Sequence, residues 1–291
     1  MQESDALNDG CLDGQVHHGH GHAHLVGRVR THHAGHRHDE PMGPEEAVKS
    51  LLILGQVALS AGDYESAVEA YGGALEIEPT NETALYNLGS LYARGLGVGQ
   101  DYVEAARLFH QVELSGNERA RKLCGKCLFD YVDGNLDAKK PSDLYAEVAV
   151  FVSRVYSEAT SPKQEVNNAL YAIASTYLNR GSYAEAAKVL RASAEFGGDG
   201  FAQYYLGKLY NAGAGLDRSD LAALYWLDCA VDNGAADIAR ADRDALLDAY
   251  RQTLTDSEFC GMMASLVAWC EAGSPDVPTS PDKAERWRDL L

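Results

Sequence analysis

The sequence predicts an all-α chain: a right-handed α-solenoid of stacked antiparallel helix pairs behind a disordered N-terminal tail. Three observations carry that prediction. Leu54-Gly55 recurs as Leu88-Gly89, 34 residues on. The stretch LGSLYARGLGVGQDYVEAARLF (88–109) aligns without a gap to LGKLYNAGAGLDRSDLAALYWL (206–227), at an offset of 118. No segment alternates apolar and polar residues with the two-residue period of a strand. Self-similarity at such a period marks a chain built from repeated supersecondary units.

The first element is a tail, residues 1–44, and the second a repeat body, residues 45–291. The tail is rich in Gly, His and Asp and almost lacks apolar runs, a composition that cannot bury enough surface to fold. Pro41 and Pro44 mark its end. Glu45-Glu46 open the first helix, where carboxylates meet the positive end of the helix dipole.

Within the body, small residues at 55, 67, 74 and 89 let helix backbones approach, and Tyr71 and Tyr92 fill the gaps that remain. Gly62-Asp63 turns between the first two helices, and Pro79 cannot continue the second. The next unit opens Leu85-x-x-Leu88-Gly89-x-x-Tyr92. This pattern resembles the tetratricopeptide repeat, W-x-x-L-G-x-x-Y…A-x-x-x-F…P, with Leu85 where Trp is usual. The two aligned stretches share Gly89 with Gly207, Tyr92 with Tyr210, Gly95 with Gly213, Gly97 with Gly215 and Ala105 with Ala223. Their turn is four residues longer than a tetratricopeptide turn and resembles that of a Sel1-like repeat. Asp101 fits the family's Asp, Ser219 replaces it in the second copy, and Trp226 stands at the expected aromatic position.

Residues 169–198 read as another tetratricopeptide-like unit around Ala174, Tyr177 and Ala186. Residues 240–271 read as two helices that join a last, degenerate Sel1-like copy, Glu271-Ala272-Gly273…Asp282-Lys283-Ala284-x-x-Trp287, whose turn is one residue longer. The least repeat-like part, 128–165, holds one helix-like stretch after the Lys140-Pro141 break. No single helix pair buries its apolar face alone, so the units must stack.

Charge and composition narrow the function. The net charge is −18, and residues 1–44 carry six acidic and three basic side chains, leaving −15 on the body. Such a body repels phosphate backbones, so neither nucleic acid nor an anionic membrane is expected as partner. The first ten residues, MQESDALNDG, lack the basic start and apolar run of a signal peptide. No stretch approaches the roughly 18 apolar residues of a membrane span. Six dispersed cysteines do not form a secreted disulfide framework, and a reducing, cytoplasmic setting is expected. There is no glycine-rich phosphate loop and no Ser/His/Asp set. His110 is the only histidine of the body and falls late in a second helix. The chain reads as non-enzymatic, with no required cofactor.

The resemblance implies a scaffold that binds a protein partner, a peptide or a helix, along the concave face lined by first helices. By family register that face carries Leu52, Gln56, Thr83, Tyr86, Ser90 and Arg94 in the first half. In the second half it carries Asn168, Tyr171, Ser175, Asn179, Phe201, Tyr204, Lys208 and Asn211. Tyrosine offers large contact area at low entropic cost, and amides bond extended backbone. The clamp with which chaperone-tail-binding tetratricopeptide domains hold a carboxylate is incomplete. Asn87 and Arg119 fit two of its places, but Leu52, Gln56 and Leu123 occupy the others. Three Trp and sixteen Tyr leave room for self-association.

Two features stand apart. Cys124 and Cys127 form a lone CxxC without the second pair of a zinc site. By register Cys124 stands where Leu88 and Leu206 stand, a core position, with Gly125 as the small packing residue. The alternative has both thiolates share a metal with the tail. The tail itself holds nine of the ten histidines: His17, His18, His20, His22, His24, His32, His33, His36 and His38. Neutral imidazoles spaced by Gly or Ala can wrap Ni or Zn, and Cys11 could add a thiolate. Nothing pre-organises them, which limits affinity. A metal-handling protein, storing, delivering or sensing Ni or Zn and docked on a client by its repeats, is the alternative function. A third reading has the tail gain positive charge below about pH 6.5 and cover the groove.

Overall fold

The computed structural model describes residues 42–134, 136–156 and 162–289. The chain divides into two units, Met1–Pro41 and Met42–Leu291, and every described residue lies in the second. The described residues form thirteen α-helices and no strand. The first four are α1 (Pro44–Ala61), α2 (Tyr64–Ile77), α3 (Glu82–Arg94) and α4 (Tyr102–Glu113). Then come α5 (Glu118–Asp133), α6 (Pro141–Val155), α7 (Pro162–Arg180), α8 (Tyr183–Ala192) and α9 (Gly200–Ala212). The last are α10 (Asp220–Asp232), α11 (Ala236–Thr253), α12 (Asp256–Ala272) and α13 (Pro281–Arg288). Successive helices pack as pairs, α1 on α2, α3 on α4, α7 on α8, α9 on α10 and α12 on α13, and the pairs stack.

Local chemistry sets the boundaries. The Asp63, Asn81, Asn117 and Asp199 side chains accept backbone N–H groups at the starts of α2, α3, α5 and α9. Thr255 and Glu258 complete a capping box on α12. Pro44, Pro141 and Pro281 begin α1, α6 and α13, where a missing N–H costs nothing.

The small residues act as the repeat pattern demands. A Cβ on Gly55 would sit 2.8 Å from the ring of Tyr71, which is fully buried. One on Gly89 would sit 3.1 Å from Phe109, and one on Gly207 would sit 3.0 Å from Leu227. These are the points where the two helices of a unit cross.

The longer turns do something a tetratricopeptide turn cannot. In both, two glycines adopt positive φ: Gly95 at 63° and Gly97 at 70°, Gly213 at 64° and Gly215 at 71°. Gly95 and Gly213 cap α3 and α9. Gly97 lies on the backbone at the start of α2, where a Cβ would strike the Tyr64 carbonyl and lie 2.6 Å from Glu65 N. Gly215 lies in the same way on Tyr183 and Ala184 at the start of α8. Each turn thereby fastens its own unit to the preceding one. Asp101 Oδ1 accepts the N–H groups of Val103 (2.9 Å) and Glu104 (3.0 Å). Ser219 Oγ accepts that of Ala222 (3.2 Å), so serine does the same capping work in the second copy.

The degenerate copy also packs as a repeat. Ala284 and Trp287 are buried, and the turn before α13 is bound inward. Trp226 Nε1 donates to the Asp276 carbonyl (3.0 Å), Tyr210 donates to the Asp276 carboxylate (2.8 Å), and Arg191 donates to the Pro275 carbonyl (2.8 Å). An ionic cluster locks α13 onto α10. Asp228, with no exposed surface, receives Lys283 (2.7 Å) and Arg243 (2.8 Å). Asp232 receives Lys283 (2.8 Å) and Arg286 (2.9 Å).

One expectation fails in the middle of the chain. Gly125 is exposed, with no atom within 4 Å of where its Cβ would be, so it is not a helix-crossing residue. The reason is the placement of α6, which packs on α4, α7 and α8 and only lightly on α5. No second helix crosses α5 at Gly125, and the surface there stays open.

Candidate interaction surface

The predicted groove positions lie on α1, α3, α7 and α9, and the structure brings some of them together. Tyr171 of α7 meets Tyr205 (ring centroids 5.9 Å apart) and Phe201 (6.4 Å), both on α9. Tyr205 in turn meets Tyr204 edge-on at 5.3 Å. Phe201 is half exposed, so the cluster is a surface strip and not core. Tyr204 donates to Asp242 of α11 (2.9 Å), and Lys208 donates to the same carboxylate oxygen (2.9 Å). The Lys208 ammonium, helped by the Tyr204 hydroxyl, holds the Asp242 carboxyl below its usual range. These two predicted contact residues therefore also tie α9 to α11.

On α3, Tyr86 packs edge-on against Phe109 at 5.7 Å, and the Arg119 guanidinium lies 5.4 Å from its ring centre. Ser90 Oγ bonds the Tyr86 carbonyl (2.9 Å), and Arg94 Nε bonds the Ser90 carbonyl (3.0 Å). Asn87 donates to the Thr83 carbonyl (2.9 Å). Gln56, Thr83, Asn168 and Asn179 are exposed, while Leu52, Ser175 and Asn211 are half-buried. Leu52 and Gln56 lie on α1, which packs on α2. The structure adds an exposed apolar face on α1, formed by Ile53, Leu54 and Val57.

Cys124 and Cys127 are both buried, and Cys124 Sγ lies 3.4 Å from the Tyr156 hydroxyl. Burial pushes the two thiols up to about 11 and about 12, so both stay protonated at neutral pH. Both side chains sit in the core, as the register reading of Cys124 expected. Among the described residues no group of three His, Cys, Asp or Glu is placed to hold a metal. His17, His18, His20, His22, His24, His32, His33, His36, His38 and Cys11 lie outside the described residues. His110 is half-buried, with Nδ1 3.1 Å from Glu113 Oε2 and its ring edge-on to Tyr156 at 4.6 Å.

The sequence reading missed a cleft of about 350 Å³ between α5 and α7. Leu128, Phe129 and Ile173 give it an apolar floor beside Gly125, and Lys122, Lys126 and Arg180 stand around it. The Arg180 guanidinium lies 4.7 Å from the centre of the Phe129 ring. The available signal was the pair of lysines around Gly125 in KLCGKC. The repeat register, which places Gly125 at a helix crossing, gives no sign that those lysines border an open cleft. No helix among the described residues is long and apolar enough to cross a membrane.

Comparison with known proteins bears on the repeats. A TPR repeat model matches residues 55–94, and a Sel1 repeat model matches 83–111 and 200–234. No curated relative matches the sequence. Among solved structures, a Sel1 repeat protein from Oxalobacter formigenes is similar at 20% identity, with 86% of this chain and 87% of that chain covered and a TM-score of 0.26. The protective antigen c5321 of uropathogenic Escherichia coli, which displays an SLR fold, is 18% identical over 84% of this chain and 64% of its own, with a TM-score of 0.30. MamA protein is 17% identical over 65% and 92%, with a TM-score of 0.29. The matched segments coincide with the units whose glycines make the helix crossings and the docked turns: residues 55–94 match a tetratricopeptide repeat, and residues 83–111 and 200–234 match Sel1 repeats.

Proposed function

We propose that this protein is a non-enzymatic scaffold that binds a protein partner along its first-helix face. The observation that carries the reading is the aromatic strip of Tyr171, Phe201, Tyr204 and Tyr205, a rigid, half-exposed surface with polar Asn168, Asn179 and Lys208 at its edges. Aromatic anchors ringed by polar groups are what recognition surfaces use. The test places a photo-crosslinking amino acid at Asn179 on this face and at Glu69 on α2. Adducts from Asn179 that vanish in the Tyr86→Ala, Tyr204→Ala double variant, with helicity unchanged, support the reading. Adducts from Glu69 alone refute it.

The histidines of residues 17–38 support a second, compatible role. Nine imidazoles in 22 residues give the tail the ligand chemistry to take Ni or Zn, and the repeats would then dock a metal-handling protein on its client. Calorimetric titration of Ni and Zn at neutral pH, on the full chain and on one with these nine histidines replaced by glutamine, decides this. Several ions bound at micromolar affinity by the first and none by the second support the role. Equal binding by both places the metal elsewhere and removes it.

A further inference from the structure

The cleft between α5 and α7 is set apart by its charge. The body carries −15, yet Lys122, Lys126 and Arg180 converge here. Asp130 is the one carboxylate of the lining, and it pairs with Lys126 at 2.5 Å. Glu118 lies 3.9 Å from Lys122. The Lys122–Glu118 pair is largely exposed and the Lys126 ammonium reaches solvent although Asp130 is half-buried, so an incoming carboxylate can replace Glu118 and share Lys126 with Asp130 at little cost. Arg180 has no carboxylate within ion-pair distance among the described residues, and Phe129 holds its guanidinium in place by its ring face. Below this rim the floor is apolar, made by Leu128, Phe129 and Ile173 beside the uncovered Gly125.

A cation rim over an apolar floor selects for a ligand with both characters. We infer that the α5/α7 cleft is the specificity pocket of the scaffold and takes an acidic segment of a partner protein, seating one apolar side chain against Leu128 and Ile173 while flanking carboxylates meet Lys122, Lys126 and Arg180. This rests on the scaffold reading and says what kind of partner it selects. The pocket volume suits one or two side chains. A long polyanion such as nucleic acid would spread beyond the rim onto an acidic surface that repels it. The acidic segment also gains from long-range steering, because the net charge of the body repels it and the three cations attract it here.

The test is fluorescence anisotropy on the full chain. The probe is a fluorescein-labelled twelve-residue peptide with a central Leu flanked by Glu residues. Binding weakened at least tenfold by Glu-to-Gln replacement in the peptide, and also by Leu-to-Ser replacement, is expected. The Lys122→Ala, Lys126→Ala, Arg180→Ala variant should lose at least tenfold, and Gly125→Leu, which fills the cleft, should do the same with helicity intact. Raising salt from 50 to about 300 mM should weaken the wild-type complex and not the residual binding of the triple variant. No binding, equal binding of the Gln peptide, equal binding by the triple variant, or full displacement by millimolar inorganic phosphate overturns the inference. The peptide arms need no variant to fold. If these arms fail while crosslinking at Asn179 still captures a partner lost in the tyrosine variant, the scaffold stands and only the pocket assignment falls.

Discussion

Replacing Gly97 by alanine tests how the longer turns hold the stack together. Two costs meet at this position. An L side chain at φ 70° costs about 1–2 kcal/mol on backbone sterics alone. The new Cβ would also strike the Tyr64 carbonyl and lie 2.6 Å from Glu65 N, which are backbone atoms that cannot rotate away. Forcing such a packed contact apart adds roughly 1–3 kcal/mol. Gly62→Ala is the internal control. Its φ is 76°, but no atom lies within 4 Å of its Cβ position, so it bears only the first cost. Urea unfolding followed by far-UV circular dichroism should therefore place Gly97→Ala about 2 kcal/mol below Gly62→Ala. All three tryptophans lie between 226 and 287, so their fluorescence reports the C-terminal half. In a linear array, damage spreads mainly to neighbours. Gly97→Ala should lower the dichroism midpoint more than the fluorescence midpoint, and Gly215→Ala should lower both. Equal stability of Gly97→Ala and Gly62→Ala would refute the idea that the turn is docked on α2.

Four further outcomes follow from the packing. Asp228→Ala removes the fully buried one of the two carboxylates that hold Lys283, which is only 7% exposed, leaves it Asp232 alone, takes the Asp228 partner from Arg243, and should cost about 3 kcal/mol by urea unfolding. Arg288→Ala, which removes an exposed pair with Glu271, should change stability by less than about 1 kcal/mol. The Asp242 carboxyl is held below its usual range by Lys208, so its contribution is present above the unfolded value, about pH 4, and disappears as pH falls through the folded value. Stability of the wild type should accordingly fall more steeply on acidification below about pH 4 than that of Asp242→Asn. In a chain carrying Cys11→Ser, Cys260 should react with a thiol reagent in the native state, and Cys124, Cys127, Cys229 and Cys270 only after unfolding. Rapid native modification of Cys124 or Cys127 would contradict their burial.

The sequence by itself determined the units and their punctuation. Gly55, Gly89 and Gly207 were legible because only a missing side chain permits a helix crossing that close, and the aromatic or branched residue opposite each one sits at a fixed spacing. The paired glycines of the long turns were legible for the same reason: positive φ leaves a mark on residue choice. Asp63 was legible as a turn residue and Asp101 and Ser219 as pattern positions, as was the Ala284…Trp287 spacing of the last copy, whereas their capping bonds are seen in the structure. What only the tertiary structure decided depends on which helix lies beside which. The repeat register assigned Gly125 to a crossing, but α6 lies on α4 and α8, and the residue lines an open cleft. Arg180 reaches that cleft from a helix more than fifty residues along the chain, and no spacing links it to Lys122 and Lys126. Likewise Lys208 and Tyr204 looked like free groove residues until α11 brought Asp242 to them. Periodicity records the contacts within a unit, because each is a constraint between nearby positions. The chemistry between units is set by how the stack bends and where it is loose, and it leaves no period in the chain.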